Sequence, residues 1–224
     1  MSLNIRALLG LLFLFIFMGA LLFLSAWTLN YWQAWAFLAV FGASALATTV
    51  YLMKKDPKLL ERRLPAGPTA EKETSQKIIQ SIASVGFVAI LVVSALDHRS
   101  HWSKVPFYIT IAGNALVALG SLVNFFVFKE NTFSSATIEL AADQVVVSTG
   151  LYAVVRHPMY GGALIYLLGM PMALDSWWGL LVIVVMMPAL IWRLIDEEKF
   201  LAKNLPGYSE YQNKVRHRLI PFIW

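Results

Sequence analysis

Cysteine is absent from this chain, and charged residues are scarce. Without cysteine there is no disulfide, no thiolate nucleophile and no thiolate metal ligand. Only 14% of the residues are Asp, Glu, Lys or Arg, and none of these, nor any His, lies between Ala7 and Met53 or between Ile78 and Leu96. Proton and ion paths through a membrane normally use ionisable side chains inside the spanning segments. Their absence from these long stretches argues against an ion or proton transporter.

The chain also has few features that would support a metal site or a nucleic-acid interface. Its four histidines form no pair typical of helical metal ligands, and His98 and His101 lie on the side of the membrane opposite to His157 in the predicted topology. The basic residues flank apolar segments and belong to no nucleic-acid recognition module. We therefore predict no metal site and no nucleic-acid partner.

Apolar residues are abundant, and they are arranged in long runs. They make up 58% of the chain, and the mean hydropathy is +0.65. A helix needs about 20 apolar residues to cross the hydrocarbon core of a bilayer. Six segments meet or approach that length: about Ala7 to Ala26, Tyr31 to Met53, Ile78 to Leu96, Val105 to Phe128, Pro158 to Leu174 and Trp177 to Ile195. The sequence predicts an all-α, polytopic membrane helix bundle with about six transmembrane helices and a C-terminal cytoplasmic helical tail.

The lysines and arginines give this bundle an orientation. With six spans, all of them except Arg99 and Lys104 fall on one side of the membrane. Because positive residues accumulate on the cytoplasmic side, we predict a multi-pass integral membrane protein with both termini in the cytoplasm. The net charge of +5 also suits contact with anionic membrane lipids, although the same cations are sufficient simply to set the topology.

We divide the chain into an N-terminal four-helix membrane region, 1–128, and a C-terminal cofactor-binding region, 129–224, within one integrated domain. The connector 54–77 is rich in turn residues. The segment 129–149 is too polar to span a membrane, so we expect it to lie along the interface or to fold under the bundle. After the last span, Pro206-Gly207 predicts a break followed by a second short amphipathic helix.

Three motifs in the C-terminal region contain its most informative polar residues. The first is Gly150-x-Tyr152-x3-Arg156-His157-Pro158-x-Tyr160, the second is Arg193-x3-Glu197-Glu198, and the third is Gly207-Tyr208-x2-Tyr211. Ionisable groups at the edge of a bilayer are costly and are often functional. Taken singly, each motif also fits an ordinary role as an interfacial anchor, a surface ion pair or an aromatic belt.

Together, and in this order, the three motifs resemble the isoprenylcysteine carboxyl methyltransferase and phospholipid methyltransferase superfamily of integral membrane enzymes. The resemblance covers about the last 90 residues; the first half is similar in helical character only. It implies an S-adenosylmethionine-dependent methyltransferase whose acceptor is lipid-like or a small hydrophobic molecule, with a carboxylate as one option. The implied cofactor-binding residues are Tyr152, His157, Tyr160, Glu197, Glu198, Tyr208 and Tyr211. Arg156 and Arg193 are the implied catalytic residues, placed at the cofactor or at an anionic group of the acceptor.

The residue chemistry is compatible with this implication. Methyl transfer from a sulfonium depends mainly on alignment and on exclusion of water. A carboxylate such as Glu197 can pair with an ammonium, and a tyrosine ring such as that of Tyr160 can lie against a sulfonium by cation–π attraction. Arg193 and Glu197 are four residues apart on a helix, so they share a face and are able to pair with each other.

Two other functions remain open at this stage. Membrane sterol-type reductases carry a similar Arg-His-Pro-x-Tyr segment and use NADPH, although the acidic pair Glu197-Glu198 stands where a phosphate-binding site would need cations. A non-enzymatic, lipid-binding membrane protein is the second alternative. The oligomeric state is not indicated by the sequence.

Overall fold

The computed structural model describes residues 1–221 and 223–224, and this part of the chain is helical without strands. Two short 3-10 turns, Pro68–Ala70 and Gly150–Ala153, interrupt its connectors. The α-helices in chain order are α1 (Leu3–Ala26), α2 (Trp32–Lys55), α3 (Pro57–Arg63), α4 (Thr74–Ser100), α5 (Phe107–Glu130), α6 (Pro158–Ala173), α7 (Trp178–Asn204) and α8 (Tyr208–Lys214). The expected all-α membrane bundle is confirmed.

Five helices, α1, α2, α4, α5 and α7, are long and apolar enough to cross a membrane, with 24 to 27 residues each. The protein is therefore an integral membrane protein. The segment predicted as the fifth of six spans forms α6, which has only 16 residues. At 1.5 Å per residue α6 is about 24 Å long, which is less than the ~30 Å of a typical hydrocarbon core.

Contacts at its two ends nevertheless show that α6 joins opposite ends of the bundle. The His157 imidazole, just before α6, lies 3.2 Å from Glu198 near the end of α7. Just after α6, the Leu174 carbonyl accepts a 2.5 Å hydrogen bond from Tyr31 in the α1–α2 turn. The Ser176 hydroxyl donates to Asp97 near the end of α4, at 2.5 Å. We call the first end, which holds His157, the site end and the other the far end.

Glycines allow α5 and α6 to pack closely. A Cβ atom added to Gly120 of α5 would lie 2.5 Å from the carbonyl oxygen of Gly162 in α6. Likewise, a Cβ atom on Gly169 of α6 would lie 2.7 Å from the carbonyl oxygen of Gly113 in α5. Small residues of this kind are typical of membrane helices whose backbones approach each other. This packing fixes the start of α6, where the Arg-His-Pro motif lies, relative to α5.

The C-terminal tail folds as the sequence predicts. Helix α7 ends at Asn204, Pro206 and Gly207 form the break, and α8 begins at Tyr208. Gly207 has a φ of 82°, a left-handed conformation that glycine adopts without a Cβ clash. The turn brings Tyr208 and Tyr211 into a buried cluster with Leu205 and Val215, against which Tyr152 packs.

Candidate functional site

The Arg-His-Pro motif is held in place by the C-terminal tail. The backbone N–H groups of Arg156 and His157 donate to the carbonyls of His217 and Arg218, both at 2.9 Å. Pro158 then occupies the first position of α6, where its missing N–H breaks no helical hydrogen bond. The motif therefore lies between α6 and the end of the chain, in contact with α7.

Glu198 is the centre of this contact. One carboxylate oxygen accepts from Arg156 Nε at 2.6 Å and lies 3.2 Å from His157 Nε2, while the other accepts from Arg218 Nε at 2.8 Å. Glu198, Arg156 and His157 are each less than 9% exposed. Arg156 also donates through Nη1 to the Val215 carbonyl at 2.9 Å. These contacts join α6, α7 and the tail into one buried cluster.

Glu197, one residue earlier on α7, faces a pocket instead. The Tyr160 hydroxyl donates to its carboxylate at 2.6 Å. Among the residues that the structure describes, no Lys, Arg or His side chain lies within 4.0 Å of the Glu197 carboxylate. The pocket is lined by eight of the nine predicted site residues, all except Glu198: Tyr152, Arg156, His157, Tyr160, Arg193, Glu197, Tyr208 and Tyr211. Residues from three separate motifs thus converge on one cavity at the site end.

A comparison with known families agrees with this arrangement. Residues 108–206 match the family model described as phospholipid methyltransferase. This match agrees with the resemblance that the motifs indicated. No curated protein sequence matches the chain significantly. The matched region covers all but the first residue of α5 and the whole of α6 and α7, and leaves α1 to α4 and α8 outside.

Arg193 has a partner that the sequence did not predict. It forms a 2.8 Å ion pair with Glu71, which is 4% exposed and belongs to the connector between α3 and α4. Arg193 also donates to Gln76 Oε1 at 2.9 Å and to the Ala136 carbonyl at 3.2 Å. The expected pair with Glu197 does not form within 4.0 Å. Arg193 pairs with Glu71 and not with Glu197 because the Glu71 carboxylate is buried. A carboxylate removed from water needs a cationic partner more than the half-buried carboxylate of Glu197 does.

Two connectors from opposite halves of the chain complete the pocket. The segment 131–149 contains no regular helix and contributes a wall that includes Phe133 and Val145 to Val147. The connector 54–77 contacts this wall through Glu71, which pairs with Arg193 and also accepts from the Ile138 backbone N–H at 3.4 Å. These segments have no recognisable motif, so the sequence did not identify their residues as parts of the site.

The pocket tyrosines are protonated hydrogen-bonding groups. Burial raises the pKa of Tyr152, Tyr208 and Tyr211 above the usual value for a phenol. The Tyr211 hydroxyl donates to the Tyr152 carbonyl at 2.7 Å, and the Tyr152 hydroxyl accepts from Asn131 at 3.0 Å. The buried Tyr208 hydroxyl has no hydrogen-bond partner within the described part of the chain. A buried polar group of this kind is usually satisfied by a ligand or by water.

No group of three or more His, Asp or Glu side chains is arranged to hold a metal ion in 1–221 or 223–224. The polar groups that line the pocket include the carboxylates of Glu139 and Glu197, two paired guanidinium groups, an imidazole and phenols. This set can bind a cationic, hydrogen-bonding organic molecule.

Proposed function

We propose that this protein transfers a methyl group from S-adenosylmethionine to a lipid-like or small hydrophobic acceptor at the cytoplasmic face of the membrane. The observation that carries the proposal is the carboxylate of Glu197, which lines the pocket and has no cationic partner among the described residues. The cofactor has an ammonium and a sulfonium, and both complement such a carboxylate and the aromatic rings beside it.

The residues present fit this cofactor. Glu197 would hold the ammonium, with its carboxylate oriented by the hydrogen bond from Tyr160. The unpartnered Tyr208 hydroxyl offers a hydrogen bond inside the same pocket. When bound, the cofactor supplies an electrophilic methyl group: a lone pair of the acceptor forms the new bond to carbon as the carbon–sulfur bond breaks, leaving a neutral thioether.

The two arginines have different roles in this proposal. Arg156 donates to Glu198 and to tail carbonyls, so it positions the Arg-His-Pro turn and the tail. Arg193 lines the pocket from α7, where its contacts with Glu71, Gln76 and the Ala136 carbonyl fix its position, so it shapes the pocket wall. Glu198 holds Arg156 and His157 in place and does not contact the cofactor.

Topology supports the cytoplasmic assignment. The beginning of α1 packs at the site end, where Ala7 shares an apolar cluster with Leu52, Leu59 and Val127. With α6 counted as a crossing, both termini therefore lie on the side that carries most of the lysines and arginines. By the positive-inside rule this side is the cytoplasm. An acceptor would reach the site from the inner leaflet.

The pocket charges favour this cofactor over NADPH. A phosphorylated dinucleotide needs cations with free hydrogen-bonding capacity. The two arginines that line the pocket, Arg156 and Arg193, are already paired with Glu198 and Glu71. The facing Glu197 would also repel a phosphate.

Binding of S-adenosylhomocysteine to the purified protein in detergent, measured by calorimetry, tests the proposal, with NADPH as a parallel ligand. We expect binding of S-adenosylhomocysteine and at least a tenfold loss in Glu197→Gln, because a desolvated charge pair contributes about 2–5 kcal/mol. We expect no binding of NADPH. If folded wild-type protein binds no S-adenosylhomocysteine, the proposal is wrong.

A further inference from the structure

A second cavity lies between helices of the bundle, and most of its lining residues belong to the part of the chain outside the family match. Its volume is about 590 Å³, within the range of about 300–1,000 Å³ that is common for small-molecule sites. Its walls come from α1, α2, α3 and α5, with single residues from α4 and α6, Phe87 and Tyr166. Gly10 of α1 is exposed and lies on its rim.

The cavity wall is suited to a hydrocarbon chain. Three of its hydroxyl-bearing residues, Ser44, Thr48 and Ser121, donate to the backbone carbonyls four residues earlier on their own helices, at 2.8 to 2.9 Å. Their hydroxyl protons are thus used within the helix, and most of the remaining lining residues are apolar. Two buried polar atoms of the lining, the Tyr166 hydroxyl and Asn124 Oδ1, have no partner among the described residues.

Arg63, at the end of α3, is the cation in this lining. Its Nη1 donates to the Ser134 carbonyl at 2.9 Å and to the Ser135 carbonyl at 3.5 Å, and lies 3.8 Å from the Met159 sulfur. Every hydrogen bond that Arg63 makes to a described residue uses Nη1, so Nε and Nη2 are left without such a partner. The guanidinium also lies 4.1 Å from the centre of the Phe128 ring.

No carboxylate of residues 1–221 or 223–224 lies within 4.0 Å of Arg63. The buried Arg156 and Arg193 and the partly buried Arg62 and Arg218 each have such a partner. Burial lowers the pKa of Arg63 to about 10, which still leaves it protonated at neutral pH. A partly buried guanidinium with two free donor groups is a suitable partner for an oxyanion, which accepts a forked pair of hydrogen bonds.

Arg63 also lies at the boundary between this cavity and the methyltransferase pocket. Ser134, Ser135 and Met159, which contact its Nη1, all line the pocket that contains Glu197. A ligand held by Arg63 would therefore have its polar end next to the cofactor pocket and its apolar part among α1, α2 and α5.

We propose that the cavity binds the hydrocarbon chain of the methyl acceptor and that Arg63 binds an oxyanion of that acceptor, a carboxylate or a phosphate. This inference rests on the proposed function. It assigns acceptor binding to the N-terminal half of the chain and makes the acceptor an anionic amphiphile.

Binding of three ligands with one common chain, oleate, oleoyl lysophosphatidate and oleyl alcohol, tests the inference on the full-length protein in detergent. We expect the wild type to bind at least one of the two anions at least tenfold more tightly than the alcohol. Arg63→Gln should remove that difference. Arg62→Gln is the matched control and should keep it, because Arg62 is already paired with Asp143. The anion that binds more tightly identifies the oxyanion.

A second variant tests the cavity separately. A Cβ atom added at Gly10 meets no atom within 4 Å, so Gly10→Leu should fold normally while its side chain narrows the cavity. We expect it to weaken binding of all three ligands. Unchanged affinities in Gly10→Leu, or a preference for anions that survives in Arg63→Gln, would overturn the inference.

Binding of S-adenosylhomocysteine by the same samples separates the two proposals. Loss of the anion preference in an Arg63→Gln protein that still binds S-adenosylhomocysteine supports the inference and shows that the variant is folded. If Arg63→Gln does not fold, Arg63→Lys replaces it in the experiment. Lysine retains the positive charge but cannot donate the forked pair of hydrogen bonds, so this variant should show a reduced preference for anions. If the wild type binds S-adenosylhomocysteine but does not prefer anions, only the acceptor inference fails.

Discussion

Replacing Glu198 by glutamine should destabilise the protein strongly. The carboxylate is 5% exposed and accepts hydrogen bonds from Arg156 and Arg218 at 2.6 and 2.8 Å, with His157 at 3.2 Å. Glutamine keeps one acceptor oxygen but removes the charge that compensates the buried guanidinium of Arg156. Removing one partner of a buried ion pair typically costs about 3–5 kcal/mol. For a chain of this size that corresponds to a decrease in Tm of about 6–20 °C.

Glu197→Gln is the matched control for this experiment. Glu197 is the adjacent residue on the same helix, but its carboxylate accepts one side-chain hydrogen bond, from Tyr160, and forms no ion pair within the described part of the chain. Its replacement should cost less than about 1.5 kcal/mol of stability. Thermal unfolding followed by tryptophan fluorescence in detergent measures both variants. If Glu198→Gln lowers Tm no more than Glu197→Gln does, then Glu198 does not hold the tail to the bundle.

Further variants test the cofactor site, the helix packing and the far end. Glu197→Gln should leave Tm nearly unchanged while it lowers the affinity for S-adenosylhomocysteine at least tenfold; equal affinity in calorimetry would contradict the role of this carboxylate. Gly120→Ala places a methyl group 2.5 Å from the Gly162 carbonyl oxygen and should cost about 1–3 kcal/mol in thermal unfolding, whereas Gly10→Ala, with no atom within 4 Å, should change stability by less than about 0.5 kcal/mol. Asp97→Ala leaves the buried Ser176 hydroxyl without its 2.5 Å acceptor, so it should lower Tm but leave binding of S-adenosylhomocysteine unchanged; a lost affinity would mean that the far end is coupled to the site.

Hydropathy predicts most of the crossings, because five of the six apolar runs form helices long and apolar enough to cross a bilayer. The second span was expected from about Tyr31 to Met53 and forms α2, Trp32–Lys55. A predicted span is shorter than the observed helix where the helix extends beyond the membrane. The last span was expected to end near Ile195, whereas α7 continues to Asn204. An apolar run shows which residues lie in the hydrocarbon core of the membrane. The helix itself ends later, where a stop signal such as Pro-Gly interrupts its backbone hydrogen bonds. The Pro206-Gly207 signal did locate that break.

The convergence of the motifs could be predicted, but several of their partners could not. The even number of crossings placed the Arg-His-Pro turn and the C-terminal tail on one side, which made a shared pocket a reasonable expectation. The Glu71–Arg193 ion pair joins residues far apart in sequence, and neither lies in a motif that indicates the other. An ion pair of this kind forms with the carboxylate that becomes buried when the helices pack. The sequence alone does not show which carboxylate that is.

The adjacent acids of α7 show how helix geometry gives two identical side chains different roles. Successive residues on an α-helix point about 100° apart, so Glu197 and Glu198 cannot both face the pocket. Glu198 is directed towards Arg156, His157 and Arg218, where its charge is neutralised. Glu197 is directed towards Tyr160, and no cationic side chain of the described residues lies within 4.0 Å of its carboxylate. Because the neighbouring arginines are already committed to Glu198 and Glu71, the negative charge of Glu197 remains available, which is the property a binding site for a cationic cofactor requires.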